Sequence, residues 1–126
     1  MRAVDTNVLV RLLTRDDPKQ VKVAEEFVSA GAWVSHLVLA ETVWVLAAVY
    51  ELQAPELVIA VGMLLSHKNL SVQDPEVVSE ALKRYQTKPS VEFSDCLVLE
   101  IARKAGYLPL GTFDRDLGKF EGAERL

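Results

Sequence analysis

Four carboxylates interrupt apolar stretches of this chain. They are Asp5 in Ala3-Val4-Asp5-Thr6-Asn7, Glu41 in Leu39-Ala40-Glu41, Asp95 in Phe93-Ser94-Asp95 and Asp114 in Thr112-Phe113-Asp114. The set contains no His and no Cys, and oxygen-only ligation suits the hard cations Mg²⁺ and Mn²⁺ rather than Zn²⁺. Such a site is best suited to phosphodiester hydrolysis, in which one or two cations lower the pKa of a water and hold the attacking and leaving oxygens. The four acids are therefore expected to converge on a divalent metal.

Each acid also has a plainer role to weigh. Asp5 can cap the helix that follows it, although Asn7 could cap instead and free it. Glu41 is the only charge in the apolar run from Leu37 to Tyr50, with Leu37, Val38, Trp44 and Val45 one turn away. On a buried helix it would have no local cation to pair with, which marks it as a partnered, functional acid. The alternative is a narrow water-facing strip shared with Thr42. Asp95 suits a helix N-terminus, yet it aligns with Val98, Leu99 and Ala102 on what reads as the core-facing stripe, with Glu100, Arg103 and Lys104 elsewhere. Asp114 can serve turn chemistry, and spacing alone does not rank it against Asp116. Thr112 is placed to donate a hydrogen bond to a carboxylate or to a water at the site.

The elements that must position these acids alternate between strand and helix. Strands are expected over Arg2–Asp5, the first and central one, and over Ala32–Val34, Leu70–Val72, Tyr107–Gly111 and Ala123–Leu126. The last should be short, because the chain stops soon after it starts. Helices are expected over Val8–Leu13, from Pro18 to Gly31, from His36 to Leu52, from Pro55 onward, from Pro75 onward and from Val91 to Ala105. Asp17-Pro18, Ser35 and Asp74-Pro75 supply cap signals, and Gly31 and Gly106 stop signals. Alternation of this kind predicts an α/β fold with a parallel sheet covered on both faces, and acids at strand exits lie where such sheets bind ligands.

The chain has 126 residues, which predicts one domain over 1–126. Its net charge of −4 opposes a broad nucleic-acid-binding surface, but setting the four candidate acids aside leaves 14 acidic against 14 basic residues. The lone Cys96 excludes an intramolecular disulfide and fits a reducing compartment. No apolar run reaches the ~18–20 residues of a membrane helix. Asp5 breaks the N-terminal apolar segment too early for a signal peptide, so a cytoplasmic protein is expected, with no membrane partner.

Val4-Asp5-Thr6-Asn7-Val8-Leu9, Leu39-Ala40-Glu41, Phe93-Ser94-Asp95 and Thr112-Phe113-Asp114, in that order, resemble the PIN-domain ribonucleases, and most of all the VapC-type toxins of prokaryotic toxin–antitoxin pairs. The resemblance covers essentially the whole chain. It implies a three-layer α/β/α sandwich with a parallel four- to five-stranded sheet, and Mg²⁺- or Mn²⁺-dependent endoribonuclease activity on RNA. It also implies a homodimer inhibited by a cognate antitoxin. Asp5, Glu41, Asp95 and Asp114 match the acidic quartet, and Thr6, Asn7 and Thr112 the accompanying polar positions.

Other residues attract plainer expectations. His36 and His67 lie near helix ends, Cys96 reads as a small core residue, and Trp33, Trp44 and Phe27 read as core. Lys83, Arg84 and Lys88 form a solvated face; these three, with Arg11, Arg15 and Arg115, are the cations available to RNA. Leu46, Val49, Leu52, Val58 and Leu65 exceed what one sheet face covers, so a groove for an antitoxin segment or a dimer contact is expected there. Two competing functions are a non-catalytic PIN-like module that binds metal to hold a partner and a phosphoacceptor receiver domain. The receiver ranks last, because it would want an adjacent acid pair on the first strand and a Lys near the last.

Overall fold

The computed structural model describes residues 1–126, with six α-helices and five short strands, all paired in parallel. The chain forms two compact units, Met1–Pro75 and Glu76–Leu126.

The first unit runs β1 (Arg2–Ala3), α1 (Thr6–Thr14), α2 (Pro18–Val28), β2 (Ala32–Val34), α3 (His36–Ala48), α4 (Ala54–Ser66) and β3 (Leu70–Val72). The strands form one sheet in the order β1-β2-β3, with Ala32 opposite both Arg2 and Leu70. The central strand is thus β2, and β1 sits at an edge of this sheet. It is only two residues long because Asp5 is already the N-cap of α1. On β2 the two-residue period of a strand buries Ala32 and Val34 and leaves Trp33 40% exposed, so Trp33 is not core.

The helices begin where short polar side chains offer an acceptor to the free N–H groups of the first turn. Asp17 accepts from Gln20 N at 3.1 Å to start α2, with Pro18 in its first turn. Ser35 Oγ accepts from Val38 N at 3.1 Å to start α3, and Glu56 Oε1 accepts from Gln53 N at 2.9 Å at the start of α4. Val21, Ala24 and Val28 form the buried stripe of α2. In α1, Leu9 and Val10 are buried, while Val8, Leu12 and Leu13 are half-buried. The third helix stops at Ala48, not Leu52, because Glu51 turns the backbone left-handed (φ 57°) and Leu52 N donates back to Leu46 O at 3.1 Å.

Of the residues expected to carry the apolar surplus of this unit, only Val49 is exposed; the rest of the surplus lies on other residues. Leu46 is buried, and Leu52, Val58 and Leu65 are half-buried. Around α3 and α4 the exposed apolar side chains are Leu37, Trp44, Val49, Ile59 and Met63. Trp44, expected in the core, is 65% exposed.

In the second unit, α5 (Pro75–Thr87) and α6 (Phe93–Ala105) precede β4 (Leu110–Thr112), a 3-10 turn (Leu117–Lys119) and β5 (Ala123–Arg125). The two strands pair in parallel, Leu110 opposite Ala123. Val78, Ala81 and Tyr85 of α5 and Phe93, Cys96 and Leu99 of α6 are buried, and Tyr85 meets Phe93 edge to face at 6.1 Å. The sixth helix starts at Phe93 because Glu92 O accepts from both Asp95 N and Cys96 N. The fourth strand starts at Leu110 because Pro109 has no N–H to donate, and Leu110 N donates to Gly122 O at 2.8 Å.

Glu100, expected outside, is 4% exposed, whereas Val98 of the expected core stripe is 48% exposed. Burial of this acid is made possible by two arginines: Arg103 Nε lies 3.2 Å from Glu100 Oε1 and Arg84 Nε 3.8 Å from Oε2. Arg103 also donates to Glu121 O, and a side chain on Gly122 (φ +93°) would come within 2.9 Å of its guanidinium. Replacing Glu100 by Ala leaves that positive charge without its counter-ion. The expected cost is about 3 kcal/mol, the lower end of the range for a broken buried ion pair because the arginines are a third exposed. Denaturant unfolding of Glu100→Ala measures it, and a midpoint equal to wild type would show the pair to be inert.

Candidate functional site

The first unit gathers Asp5, Thr6, Asn7 and Glu41 around one cleft of about 390 Å³, which Arg11 and Tyr50 also line. Asp5 is exposed and extended (φ −93°, ψ 168°), and its Oδ1 accepts from Thr6 N at 2.7 Å. It is therefore the cap of α1, and Asn7 is not. The cap occupies one carboxylate oxygen and leaves Oδ2 without a hydrogen bond, so capping and ligation are compatible in the same residue. Thr6, the first residue of α1, turns its hydroxyl to Glu41 Oε2 and donates at 3.0 Å. One strand-to-helix transition thus presents Asp5 and orients Glu41.

Glu41 is exposed, not buried. The inward side of α3 is Leu39, Thr42, Val43 and Leu46, and Glu41 lies on the other side with Leu37 and Trp44, both exposed. The alternative of a water-facing strip holds for Glu41 but not for Thr42, which is fully buried and donates its hydroxyl to Val38 O at 2.8 Å. The argument from burial fails because this helix is apolar on every side, so composition alone does not say which side faces in. The absence of a local cation holds, since Glu41 makes no ion pair and its one side-chain bond is from Thr6.

The second unit holds Asp95, Thr112, Asp114 and Asp116. Asp95 occupies the first turn of α6, half-buried, and its carboxylate makes neither a hydrogen bond nor an ion pair. Burial pushes its pKa above the usual carboxylate value, and the charges of Glu92 and then Asp114 add to the shift. Asp114 Oδ1 accepts from Asp116 N at 2.8 Å and Leu117 N at 2.9 Å, which builds the 3-10 turn and leaves Oδ2 without a hydrogen bond. Thr112 Oγ1 accepts from Asp114 N at 3.0 Å, so its bond in this structure braces the loop rather than a carboxylate. Asp116 is held by Lys88 at 3.7 Å and Lys119 at 4.0 Å. Of the two acids that spacing left unranked, Asp114 acts on Asp95 and Asp116 pairs with lysines.

Glu92 is the acid that the sequence pattern did not single out. Its signal was its place three residues before Asp95, the spacing at which helical side chains become neighbours. The remaining nucleophiles and bases are engaged elsewhere. Cys96 is fully buried, and burial with the neighbouring charge of Asp95 pushes its thiol up to about 12. His36 Nε2 lies 2.7 Å from Gln73 O, and His67 Nδ1 accepts from Asn69 N.

Within either unit, no three or more His, Cys, Asp or Glu side chains are gathered closely enough to hold a metal ion. The donor chemistry nevertheless fits a hard cation. Only carboxylate oxygens are offered, Asp5 and Asp114 each keep one uncommitted, and Asp95 is a half-buried acid whose charged neighbours are acids.

Comparison with known proteins agrees with this chemistry. The model of the PIN domain family matches residues 2–123. No curated protein matches the chain. PIN domains are generally nucleases that use divalent metal ions and act on RNA. Six helices with parallel sheets agree with the α/β/α fold of that family, and no helix is long and apolar enough to cross a membrane. With nearly its whole length matched, the chain belongs to the PIN-domain family.

Proposed function

We propose that this PIN-domain protein is a single-domain, Mg²⁺- or Mn²⁺-dependent endoribonuclease, the cytoplasmic toxin of a toxin–antitoxin pair, with Asp5, Glu41, Asp95 and Asp114 as its metal-binding and catalytic acids. The observation that carries the proposal is Asp95. It is an acid left half-buried without a partner and pressed by two further acids, an arrangement that a bound cation relieves. When bound, a divalent cation supplies charge neutralisation at the phosphodiester and activation of water.

The protein's own groups have separate tasks. Thr6 fixes the Glu41 carboxylate by donating to Oε2. The cap bond fixes Asp5 Oδ1 and the paired N–H groups of Asp116 and Leu117 fix Asp114 Oδ1, so each of these carboxylates presents its other oxygen. Asn7 and Thr112 are supporting polar residues, and Asp116 supports the same loop through its lysines. Homodimerisation and antitoxin binding are assigned to the exposed apolar side chains of α3 and α4, Leu37, Trp44, Ile59 and Met63, each of them more than half exposed.

Three measurements test this function. Purified protein freed of any partner should cleave RNA with Mg²⁺ or Mn²⁺ and not with EDTA. Asp5→Asn and Asp95→Asn should each reduce the rate by about two orders of magnitude or more, the scale of losing one preorganised electrostatic element. Asn keeps the helix-cap function, so the fold should survive the first change. Full activity in both variants would sink the site assignment. No cleavage by a folded, metal-binding protein would favour the non-catalytic module.

Metal should also stabilise the fold. At about 100 times its Kd, a cation that binds only the folded chain adds about 2.7 kcal/mol. A shift in melting temperature with Mn²⁺ is expected for wild type and not for Asp95→Asn. Equal shifts in both would place the ion elsewhere.

The third test uses pH. Because the folded-state pKa of Asp95 is raised, the folded chain binds its proton more tightly than the unfolded one, and the ionised group opposes folding above that pKa. In metal-free buffer Asp95→Asn should therefore be more stable than wild type at pH 7. The difference should shrink as pH falls through the folded value towards the unfolded Asp value of about 3.9. Urea midpoints at pH 7 and near pH 3.5 decide the point, and a variant that is less stable at pH 7 would contradict it.

A further inference from the structure

Arg11 of α1 lines two clefts of the first unit. One is the cleft that holds Asp5 and Glu41; the other, of about 570 Å³, lies along β1, α1 and α2 and includes Asp5, Asn7, Lys19, Val23 and Phe27. Its guanidinium is held on two of its three nitrogens. Nε donates to Gln20 Oε1, and Nη1 donates to Asp16 Oδ1 and to Tyr50 OH, both at 3.2 Å. Tyr50 OH donates in turn to Asp16 Oδ2 at 2.9 Å, and Thr14 Oγ1 donates to Asp16 Oδ1 at 2.9 Å. These two hydroxyls hold Asp16 below the usual carboxylate range, Tyr50 most strongly. Nη2 makes no hydrogen bond, and the side chain keeps 29% of its exposure.

A strut between α1 and the Tyr50 segment would need only the bonds that Nε and Nη1 already make. What remains, with Asp16 paired at Nη1, is the free Nη2 of a planar, permanently charged group that lines the same cleft as Asp5 and Glu41. That is the group best matched to a phosphate oxygen. Such an anchor is needed here, because Asp5 and Glu41 repel an RNA backbone and the chain as a whole carries a net charge of −4. The second cleft has an apolar wall from Val8, Val23 and Phe27 and a rim from Asn7, Lys19 and Gln20. Its volume falls in the range of ligand pockets, about 300–1,000 Å³.

We propose that Arg11 Nη2 anchors a phosphate of the RNA strand next to the one that is cut, with the attached nucleoside in the cleft between α1 and α2. This inference rests on the ribonuclease function proposed above. Tyr50 is then a positioning residue: it touches no substrate and acts by holding the guanidinium.

The test is binding of a labelled single-stranded RNA in EDTA, followed by fluorescence anisotropy over a salt series. The full chain is compared as wild type, Arg11→Gln and Tyr50→Phe. Arg11→Gln should weaken binding by about tenfold and flatten the slope of log K against log salt by about 0.7, the value for one phosphate contact on a single strand. Tyr50→Phe keeps the charge, so it should weaken binding less, by about threefold, and leave the slope unchanged. A folded Arg11→Gln protein with wild-type affinity and slope overturns the inference. Should that variant fail to fold, Arg11→Lys takes its place. It is expected to keep the slope and lose affinity with the fork geometry, and unchanged affinity overturns the inference equally. No binding by wild type also overturns it, and metal-dependent cleavage, measured separately, then shows whether the ribonuclease function falls with it.

Discussion

The bond from Thr6 N to Asp5 Oδ1 is the constraint on which the first unit turns. It ends β1 after two residues and starts α1 at once. A carboxylate at the mouth of a helix is stabilised by free N–H groups and the helix dipole, so the acid that chemistry needs is also the acid the fold tolerates. The next residue then reaches across to α3 through its hydroxyl and fixes Glu41. Neither acid requires a cation from the protein to be held in place, and both therefore keep their charge available.

The second unit shows the same economy by contrast among its acids. Glu100 is buried deepest and is matched by two arginines; Asp116 is matched by two lysines. Asp114 is satisfied on one oxygen by backbone N–H groups. Asp95, half-buried, has no such arrangement, and the charges that act on it are of its own sign. Native structures rarely leave a polar group that is taken out of water without a partner. Within this unit Asp95 stands out against Glu100, Asp114 and Asp116, each of which is matched.

Much of this was legible in the sequence because caps and strand alternation are local. Asp17, Pro18 and Ser35 mark helix starts by their own side-chain chemistry, and Ala32-Trp33-Val34 and Leu70-Ser71-Val72 show the burial alternation of a strand. Three features were not legible. The end of α3 depends on a left-handed Glu51, a residue with no intrinsic preference for that conformation. The burial of Glu100 depends on Arg84, sixteen positions earlier on another helix, as well as on Arg103 within its own. The exposure of Glu41 depends on which side of an all-apolar helix meets the core. The type of each candidate acid was readable from its surroundings; its state of satisfaction, which separates Asp114 from Asp116, is a matter of distance.

The all-apolar character of α3 has one more consequence. A helix with a polar side is held against rotation about its axis by the hydrophobic effect itself. Here apolar content is nearly the same on both sides, since Leu37 and Trp44 face out as Leu39 and Leu46 face in. What apolar burial alone does not penalise is penalised by Glu41, which would be buried with them. The angle is set instead by a few polar contacts: the Ser35 cap, the two bonds between His36 and Gln73, and the bond from Thr6 to Glu41. Inserting one residue into α3 would turn everything beyond it by about 100°. Such a change would be nearly silent in helix content, yet it would carry Glu41 away from Thr6. In this helix a frame-preserving insertion is a more severe lesion than most substitutions.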